Sequence, residues 1–313
     1  MTDFFASNLT LIQATFVGFA LALSIQVPLR LGVFSLAGAG AFGLSAYATA
    51  LLVLKADMPA LPALAVSVVG STLVVLLLGL VVYRLSGIYL AMATVAFDLI
   101  VGVVALNGDP LTGGSTGLYG VLTDFDVVQM IVLLVVVVVV LAATERGRTG
   151  RRVDAVREDP ELAASLGVNV RRYRLSGFAA GGALGALAGG MAVLTRSAIS
   201  PPDVGFSLIV LALTMIVVGG TRSWAGALIG AVLFTWLPTL LTAIGEWQDL
   251  VYGVIVTLAA IFLPRGIHGV VLDAVRRSRR RPPDADGASA ADGGPDVPAT
   301  EATEADRAAE AFR

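Results

Sequence analysis

The chain has 313 residues, of which 57% are hydrophobic and only 14% charged, and its mean hydropathy of +0.86 nearly excludes a water-soluble globular fold. It has no cysteine and one histidine, His268, which excludes disulfides and thiolate nucleophiles and argues against histidine metal sites and paired-imidazole catalysis. The net charge of −2 averages an arginine-rich part and an acidic part of the chain.

Nine apolar segments predict membrane-spanning helices, since about 20 residues cross a roughly 30 Å hydrocarbon layer. They lie near Leu9–Val27, Leu31–Leu54, Ala60–Val82, Ile88–Leu106, Val127–Ala143, Tyr173–Thr195, Phe206–Gly219, Ala225–Ala243 and Leu250–Leu263. The second is rich in glycine and alanine, the seventh is short and the eighth contains a proline, so about 8–10 helices fit the pattern. The predicted fold class is an all-α, polytopic membrane helix bundle. The first segment lacks the positive residues of a secretory signal, so we expect a retained helix.

Glycines inside two of these segments indicate close helix packing. Gly38–Gly43 matches G-x-G-x-x-G, but the dinucleotide-binding fingerprint requires a strand and a soluble parallel sheet, whereas this copy lies in an uncharged span. Gly181, Gly185 and Gly189 are spaced four apart and therefore share one helix face. We expect tight helix contacts at both places.

Asp98 is the only acidic residue well inside a predicted span. A carboxylate at mid-bilayer costs roughly 2.5 to 3.5 kcal/mol on insertion scales, so it should face protein or water. Thr94 lies one turn earlier on the same face. The pair could line a polar path, and an equally weighted alternative is that Asp98 forms a helix–helix hydrogen bond or ion pair.

A glycine- and hydroxyl-rich loop, Asp109–Gly117, follows the fourth span. Its backbone N–H groups could bind a carboxylate, but the composition favours an ordinary turn.

The distribution of positive residues predicts the orientation, since such residues collect on the cytoplasmic side. If the N-terminus is external and the chain crosses the membrane nine times, only Lys55 and Arg196 lie on the external side. The predicted cytoplasmic residues are Arg30, Arg84, Arg146, Arg148, Arg151, Arg152, Arg157, Arg171, Arg172, Arg174, Arg222, Arg265, Arg276, Arg277, Arg279, Arg280 and Arg281.

The cytoplasmic stretch before the sixth span predicts a helix of about seven residues. Asp159 is placed as its N-cap, Pro160 as its first residue and Gly167 just past its end. An isolated helix this short is unstable in water, so it needs a surface to pack on. A groove on a soluble partner fits better than lipid, because an alanine-rich face buries little area in a membrane. The predicted coupling residues are Arg157, Glu158, Asp159, Pro160, Glu161, Leu162, Ala163, Leu166 and Gly167.

The domain boundaries follow from composition. Residues 1–275 form the transmembrane domain, with a cytoplasmic loop at about 145–173. Residues 276–313, rich in Pro, Ala, Gly and acids from Arg281 onward, predict a disordered cytoplasmic tail.

Five segments resemble the permease subunit of branched-chain amino acid ABC importers, in particular its LivM-type half. They are Phe34–Tyr47, Tyr83–Asp98, Leu111–Gly117, Ala155–Asn169 and Leu263–Gly266. The fourth, which resembles the coupling loop, is the most specific. Two departures are Gly38, where many relatives have His or Gln, and Thr221–Ser223, where another glycine-containing turn is usual.

The resemblance implies a type II-like importer permease in the bacterial cytoplasmic membrane. Its partners would be a LivH-like second permease subunit, two ATPase subunits and an extracytoplasmic amino-acid-binding protein. ATP and Mg would bind the ATPase subunits, and this chain would bind no cofactor; the five residues before its only lysine, Lys55, lack the glycine of a Walker A loop. Nucleic acid is not an expected partner. The predicted substrate path comprises Ser35, Gly38, Thr94, Asp98, Gly113, Gly114, Ser115 and Thr116.

Transport of branched-chain, hydrophobic amino acids is the leading functional prediction. The alternative is a stand-alone secondary transporter or channel for small polar solutes such as amides or urea. A membrane-embedded enzyme is disfavoured, because one histidine, no cysteine and one buried acid offer little for catalysis.

Overall fold

The computed structural model describes residues 8–145, 147–221, 223–262 and 266–267. Its helices, in chain order, are α1 (Leu9–Arg30), α2 (Ala37–Ala56), α3 (Ala60–Val82), α4 (Gly87–Asn107), α5 (Asp109–Thr112), α6 (Val127–Glu145), α7 (Gly147–Glu158), α8 (Pro160–Ser165), α9 (Val170–Arg196), α10 (Phe206–Gly219), α11 (Trp224–Leu241) and α12 (Gln248–Phe262). Short 3₁₀ turns lie at Gly114–Thr116, Pro201–Asp203 and Thr242–Trp247, and strands at β1 (Leu118–Tyr119) and β2 (Ala198–Ile199).

The predicted helical membrane bundle is confirmed. Within the described residues, eight helical segments are long and apolar enough to cross a membrane: α1 to α4, α6, α9, α10 with its preceding 3₁₀ turn, and α11. The ninth predicted segment corresponds to the 15-residue α12. The second begins six residues later than predicted, at Ala37, because Gly32 adopts φ +73° and turns the chain out of the α1 direction.

Helix α9 is the centre of the bundle and packs against α1, α2 and α3. Its glycines make this possible: a Cβ at Gly185 would collide with the carbonyl oxygen of Gly38, and one at Gly189 with that of Phe42. At Gly181, a Cβ would lie 2.6 Å from Cγ of Pro28. The predicted glycine contacts are confirmed, and the Gly38–Gly43 motif lies in a helix at a backbone crossing.

The periphery of the bundle is formed by α3, α4 and α6. Only 11% of the membrane span of α6 is buried inside the chain, against 78% of that of α9. The outer face of α4 exposes large apolar side chains such as Ile88, Met92 and Val103. Apolar surface of this kind is stable only against lipid or another protein.

The helix ends form two groups at opposite ends of the bundle. At one, which we call the sheet end, β1 pairs antiparallel with β2, and Nζ of Lys55 donates a hydrogen bond to the carbonyl of Pro110. At the other, the α8 end, Arg157 of α7 contacts the Gly32 turn. The amide of Gln26 there donates hydrogen bonds to the carbonyls of Thr221 and Ser223.

Several sequence predictions fall outside the described residues. They concern His268, Arg146, Arg222, Arg265, Arg276, Arg277, Arg279, Arg280, Arg281, most of the Leu263–Gly266 motif and the tail at 276–313.

We expect Gly185→Ala to destabilise the full chain by about 1–3 kcal/mol, because its new methyl group would collide with the α2 backbone. Gly70→Ala in α3 is the control, since a Cβ there meets nothing within 4 Å. Thermal unfolding of both variants in detergent is the measurement. A Gly185→Ala midpoint equal to that of Gly70→Ala would contradict the close crossing.

Candidate functional site

Helix α8 is fixed at its start by the predicted N-cap. Oδ1 of Asp159 accepts hydrogen bonds from the backbone N–H groups of Glu161, at 2.9 Å, and of Leu162, at 3.0 Å. Pro160 occupies the first helical position, where its missing N–H costs nothing. These local interactions explain why a helix of six residues forms here.

The end of α8 is equally defined. Gly167 has φ +82°, its N–H donates to the carbonyl of Ala164, and the N–H of Val168 donates to that of Ala163. This is the Schellman arrangement, which a glycine in the left-handed region permits. The predicted helix and its termination are confirmed, and the helix is one residue shorter than expected.

The apolar residues of α8 and of its C-cap, Leu166, divide into two sets. Ala163 is 1% exposed and packs against the chain, whereas Leu162 and Leu166 are 58% and 74% exposed. A groove of about 510 Å³ continues from Leu166 along the start of α9, past Asn169 and Arg172. Two neighbouring exposed leucines beside a charged groove form a surface suited to a protein partner.

Contacts at two turns join the α8 region to the membrane helices. At the Gly32 turn between α1 and α2, a Cβ would lie 3.3 Å from Cα of Arg157, so the α7 backbone packs directly on that turn. At the α3–α4 turn, Nη1 of Arg174 donates a 3.2 Å hydrogen bond to the carbonyl of Tyr83, and the Arg171 guanidinium lies 4.9 Å from the Tyr83 ring centroid. The phenol also accepts a hydrogen bond from Nε of Arg84, which together with its charge lowers the pKa of Tyr83.

Thr94 and Asp98 of α4 hold the start of α2. Oγ1 of Thr94 accepts a 3.1 Å hydrogen bond from the N–H of Leu36, and Oδ1 of Asp98 accepts a 2.7 Å one from the N–H of Gly40. Both side chains are buried, at 0% and 1% exposed. The α2 N-terminus is electropositive, so a carboxylate is stabilised there. The structure thus shows Asp98 in the predicted helix–helix hydrogen bond; its part in a substrate path stays a prediction.

Ser35 and Gly38 lie in the same buried region. Oγ of Ser35 faces the N–H of Ala37 at 3.4 Å. Gly38 is at the crossing with Ser24 of α1 and Gly185 of α9, where no Cβ fits. This explains physically why the chain carries glycine where a larger polar side chain was expected from the resemblance.

The loop at Gly113–Thr116 lies at the sheet end, apart from Asp98. Asn107 comes nine residues after Asp98, which is about 14 Å along the α4 axis. Gly113 and Gly114 have positive φ values, and the N–H of Gly114 faces Oγ1 of Thr112 at 3.4 Å. Ser115 and Thr116 are exposed. The loop therefore has the conformation of a glycine turn, and the structure does not bring it together with Thr94 and Asp98.

A cavity of about 330 Å³ that was not predicted from the sequence lies between α1, α2, α10 and α11. Its mouth is at the sheet end, where Nη1 of Arg196 lies 3.9 Å from Oδ1 of Asp203. The one available signal was that Arg196 departs from the cytoplasmic distribution of arginines.

Comparison with known proteins identifies related sequences. A family model described as branched-chain amino acid transport system / permease component matches residues 8–260. The high-affinity branched-chain amino acid transport system permease protein LivM of Escherichia coli (strain K12) is 27% identical over 288 residues, covering 81% of this chain and 68% of that protein. The corresponding LivH of Salmonella typhimurium is 30% identical over 165 residues, 52% of this chain and 53% of LivH. No solved structure matches the chain.

Two substitutions of Asp98 test whether this residue serves the stability of the fold alone or also serves transport. Asp98→Asn keeps a carbonyl oxygen for the Gly40 N–H and should leave abundance unchanged, whereas Asp98→Leu strands that N–H and should cost about 1–3 kcal/mol of stability. We also expect Asp98→Asn to reduce solute uptake, because it replaces an ionisable group at the α2 N-terminus. Membrane abundance, thermal midpoint and uptake are the measurements. Equal loss of uptake and abundance in Asp98→Asn would indicate a purely structural role.

Proposed function

The chain belongs to the family of branched-chain amino acid transport system permease components, and from this premise we propose that it is one permease subunit of an ATP-driven importer of hydrophobic amino acids. The observation that carries the proposal is α8, a capped helix with exposed leucines that is connected to the transmembrane helices. A secondary transporter working alone has no need of such a surface.

The proposed source of energy for transport is a pair of separate ATPase subunits that bind α8. Leu162 and Leu166 would enter an apolar groove on the ATPase, and Glu158 and Glu161, both exposed, would lie at the rim of the contact. ATP and Mg would bind there and not on this chain. The chain itself would make and break no covalent bonds.

The remaining partners follow from the family. The relatives include two kinds of permease protein, LivM and LivH, which supports pairing of this LivM-like chain with a LivH-like subunit. The exposed apolar faces of the peripheral helices provide surface for such a pair. An extracytoplasmic binding protein would deliver the amino acid at the sheet end.

The α8 end would face the cytoplasm. Among the described residues, nine arginines belong to the α1–α2 turn, the α3–α4 turn and the α7–α9 segment: Arg30, Arg84, Arg148, Arg151, Arg152, Arg157, Arg171, Arg172 and Arg174. The described positive residues at the sheet end are Lys55 and Arg196. This asymmetry supports an external N-terminus and a cytoplasmic C-terminus.

The mechanism proposed from these contacts is alternating access. When ATP closes the ATPase dimer, α8 would move with its groove. The Arg157–Gly32 contact would pass this motion to the α1–α2 turn, and the Arg174–Tyr83 hydrogen bond would pass it to the α3–α4 turn. Two packings of the permease pair, open to opposite sides, would then exchange with the ATP cycle.

We expect the Leu162→Asp/Leu166→Asp double variant to lose ATPase association and at least about 90% of ATP-dependent uptake, because it puts charges into an apolar contact. Ala164→Asp is the control: it adds a charge to the same helix at another exposed position, about 200° around the axis from Leu162. Co-purification with the ATPase and uptake in proteoliposomes are the measurements. Wild-type association in the double variant would refute the docking role of α8, and uptake by the purified chain without ATPase would indicate a stand-alone transporter.

The orientation can be tested by cysteine labelling, because the chain has no cysteine of its own. Ser165→Cys in α8 and Thr116→Cys at the sheet end both replace exposed residues. The cells are treated so that reagents reach the outer face of an intact cytoplasmic membrane. A membrane-impermeant maleimide should then label Thr116→Cys directly, and should label Ser165→Cys only after the cytoplasmic membrane is permeabilised. The reverse pattern would place α8 outside and overturn the proposed coupling.

A further inference from the structure

The cavity between α1, α2, α10 and α11 combines two charges at its mouth with an apolar interior. Its volume is about 330 Å³, near the lower end of the usual range for small-molecule pockets. Arg196 and Asp203 lie at the mouth. The cavity extends along α10 as far as Met215, the tenth residue of that helix, which lies about 14 Å from the helix start.

The two charged groups at the mouth are held in place but only loosely paired. The N–H and hydroxyl of Ser200 donate hydrogen bonds to Oδ2 of Asp203, at 3.0 and 2.5 Å, and fix its carboxylate. Oδ1 lies 3.9 Å from Nη1 of Arg196, longer than the 2.7–2.9 Å typical of a charge-assisted hydrogen bond. The side chains are 56% and 40% exposed, so each can bind a further charged group.

The interior is lined mainly by apolar side chains. Phe42 of α2, Phe234 of α11 and Leu21 of α1 are each less than 5% exposed. The Phe234 ring is supported by an edge contact with Tyr252 of α12, at 5.9 Å between centroids. A ligand with several hydroxyls, such as a sugar, would leave most of them without partners here.

We propose that this cavity binds a hydrophobic α-amino acid as its zwitterion, with the carboxylate on Arg196, the ammonium on Asp203 and the side chain directed toward Phe42 and Phe234. The assignment rests on the proposed transport function and names the site within this chain that receives the substrate. An α-amino acid has one charge of each sign and one apolar group, which is the combination that the cavity offers.

A protection experiment tests binding without relying on transport. Ser207 lines the cavity and is exposed, so Ser207→Cys in the assembled complex should react with an external maleimide. L-Leucine should slow this reaction at least about fivefold, whereas urea should not. Asp124→Cys, at an exposed position of the sheet end that does not line the cavity, is the control and should react at the same rate with and without leucine. Unchanged labelling of Ser207→Cys at saturating leucine would overturn the assigned site.

A transport experiment tests the role of the charges. Arg196→Gln should raise the leucine concentration for half-maximal uptake about tenfold or more, because a charge-assisted contact with the carboxylate is lost. Lys55→Gln removes the other described positive charge of the sheet end and should change the leucine concentration for half-maximal uptake less than about twofold. Equal effects of the two variants would indicate a general surface-charge effect and refute the assignment.

The two experiments distinguish failure of the site from failure of the proposed function. If the wild-type complex takes up leucine with ATP but leucine protects nothing at Ser207, the cavity is not the binding site and the importer function stands. If the wild-type complex shows no ATP-dependent uptake of leucine or another hydrophobic amino acid, the importer proposal fails. Protection of Ser207→Cys by leucine would still support the cavity in that case.

Discussion

Backbone hydrogen bonding inside a membrane is the constraint on which this structure depends. Helix α2 begins within the bundle. Gly40, three residues after the start of α2, contacts Asp98, which is eleven residues after the start of the neighbouring α4. The start of α2 therefore lies roughly 12 Å farther along the bundle than the start of α4. No lipid group can satisfy the N–H groups exposed at such a start, so protein must do so. Thr94 and Asp98 supply the oxygens, which explains why a costly carboxylate is present at this depth.

Features set by neighbouring residues could be predicted from the sequence, and features set by distant ones could not. The limits of α8 followed from Asp159 and Gly167, because caps act within a few residues. Asp98 could be recognised as unusual, but its partner Gly40 lies 58 residues away and no local pattern identifies it. The cavity could not be predicted for the same reason, since residues of five helices line it: α1, α2, α9, α10 and α11.

Glycines bring two groups of helices into backbone contact, and α1 of the first group also packs against α11 of the second. Gly181, Gly185 and Gly189 bring α9 into backbone contact with α1 and α2. In the second group, a Cβ at Gly219 would collide with the carbonyl of Gly226, which brings α10 into the same kind of contact with α11. Contacts between backbones leave little room to slide, because densely packed interiors resist small displacements. Each group is therefore expected to move as a unit.

The cavity lies along the boundary between these two groups. Gly18 of the first group faces Met215 and Thr235 of the second there, where an added Cβ would meet the flexible end of the Met215 side chain at 3.2 Å. The Gly32 turn, which contacts α7, belongs to the first group and lies at the opposite end of α1. In the proposed cycle, a push on that turn would tilt α1 and α2 against α10 and α11 and so change the width of the cavity. The proposed ATPase-coupled contact and the proposed substrate site thus lie at the two ends of one pair of helices, α1 and α2. A small displacement at α8 would therefore change the geometry of the substrate site through these two helices.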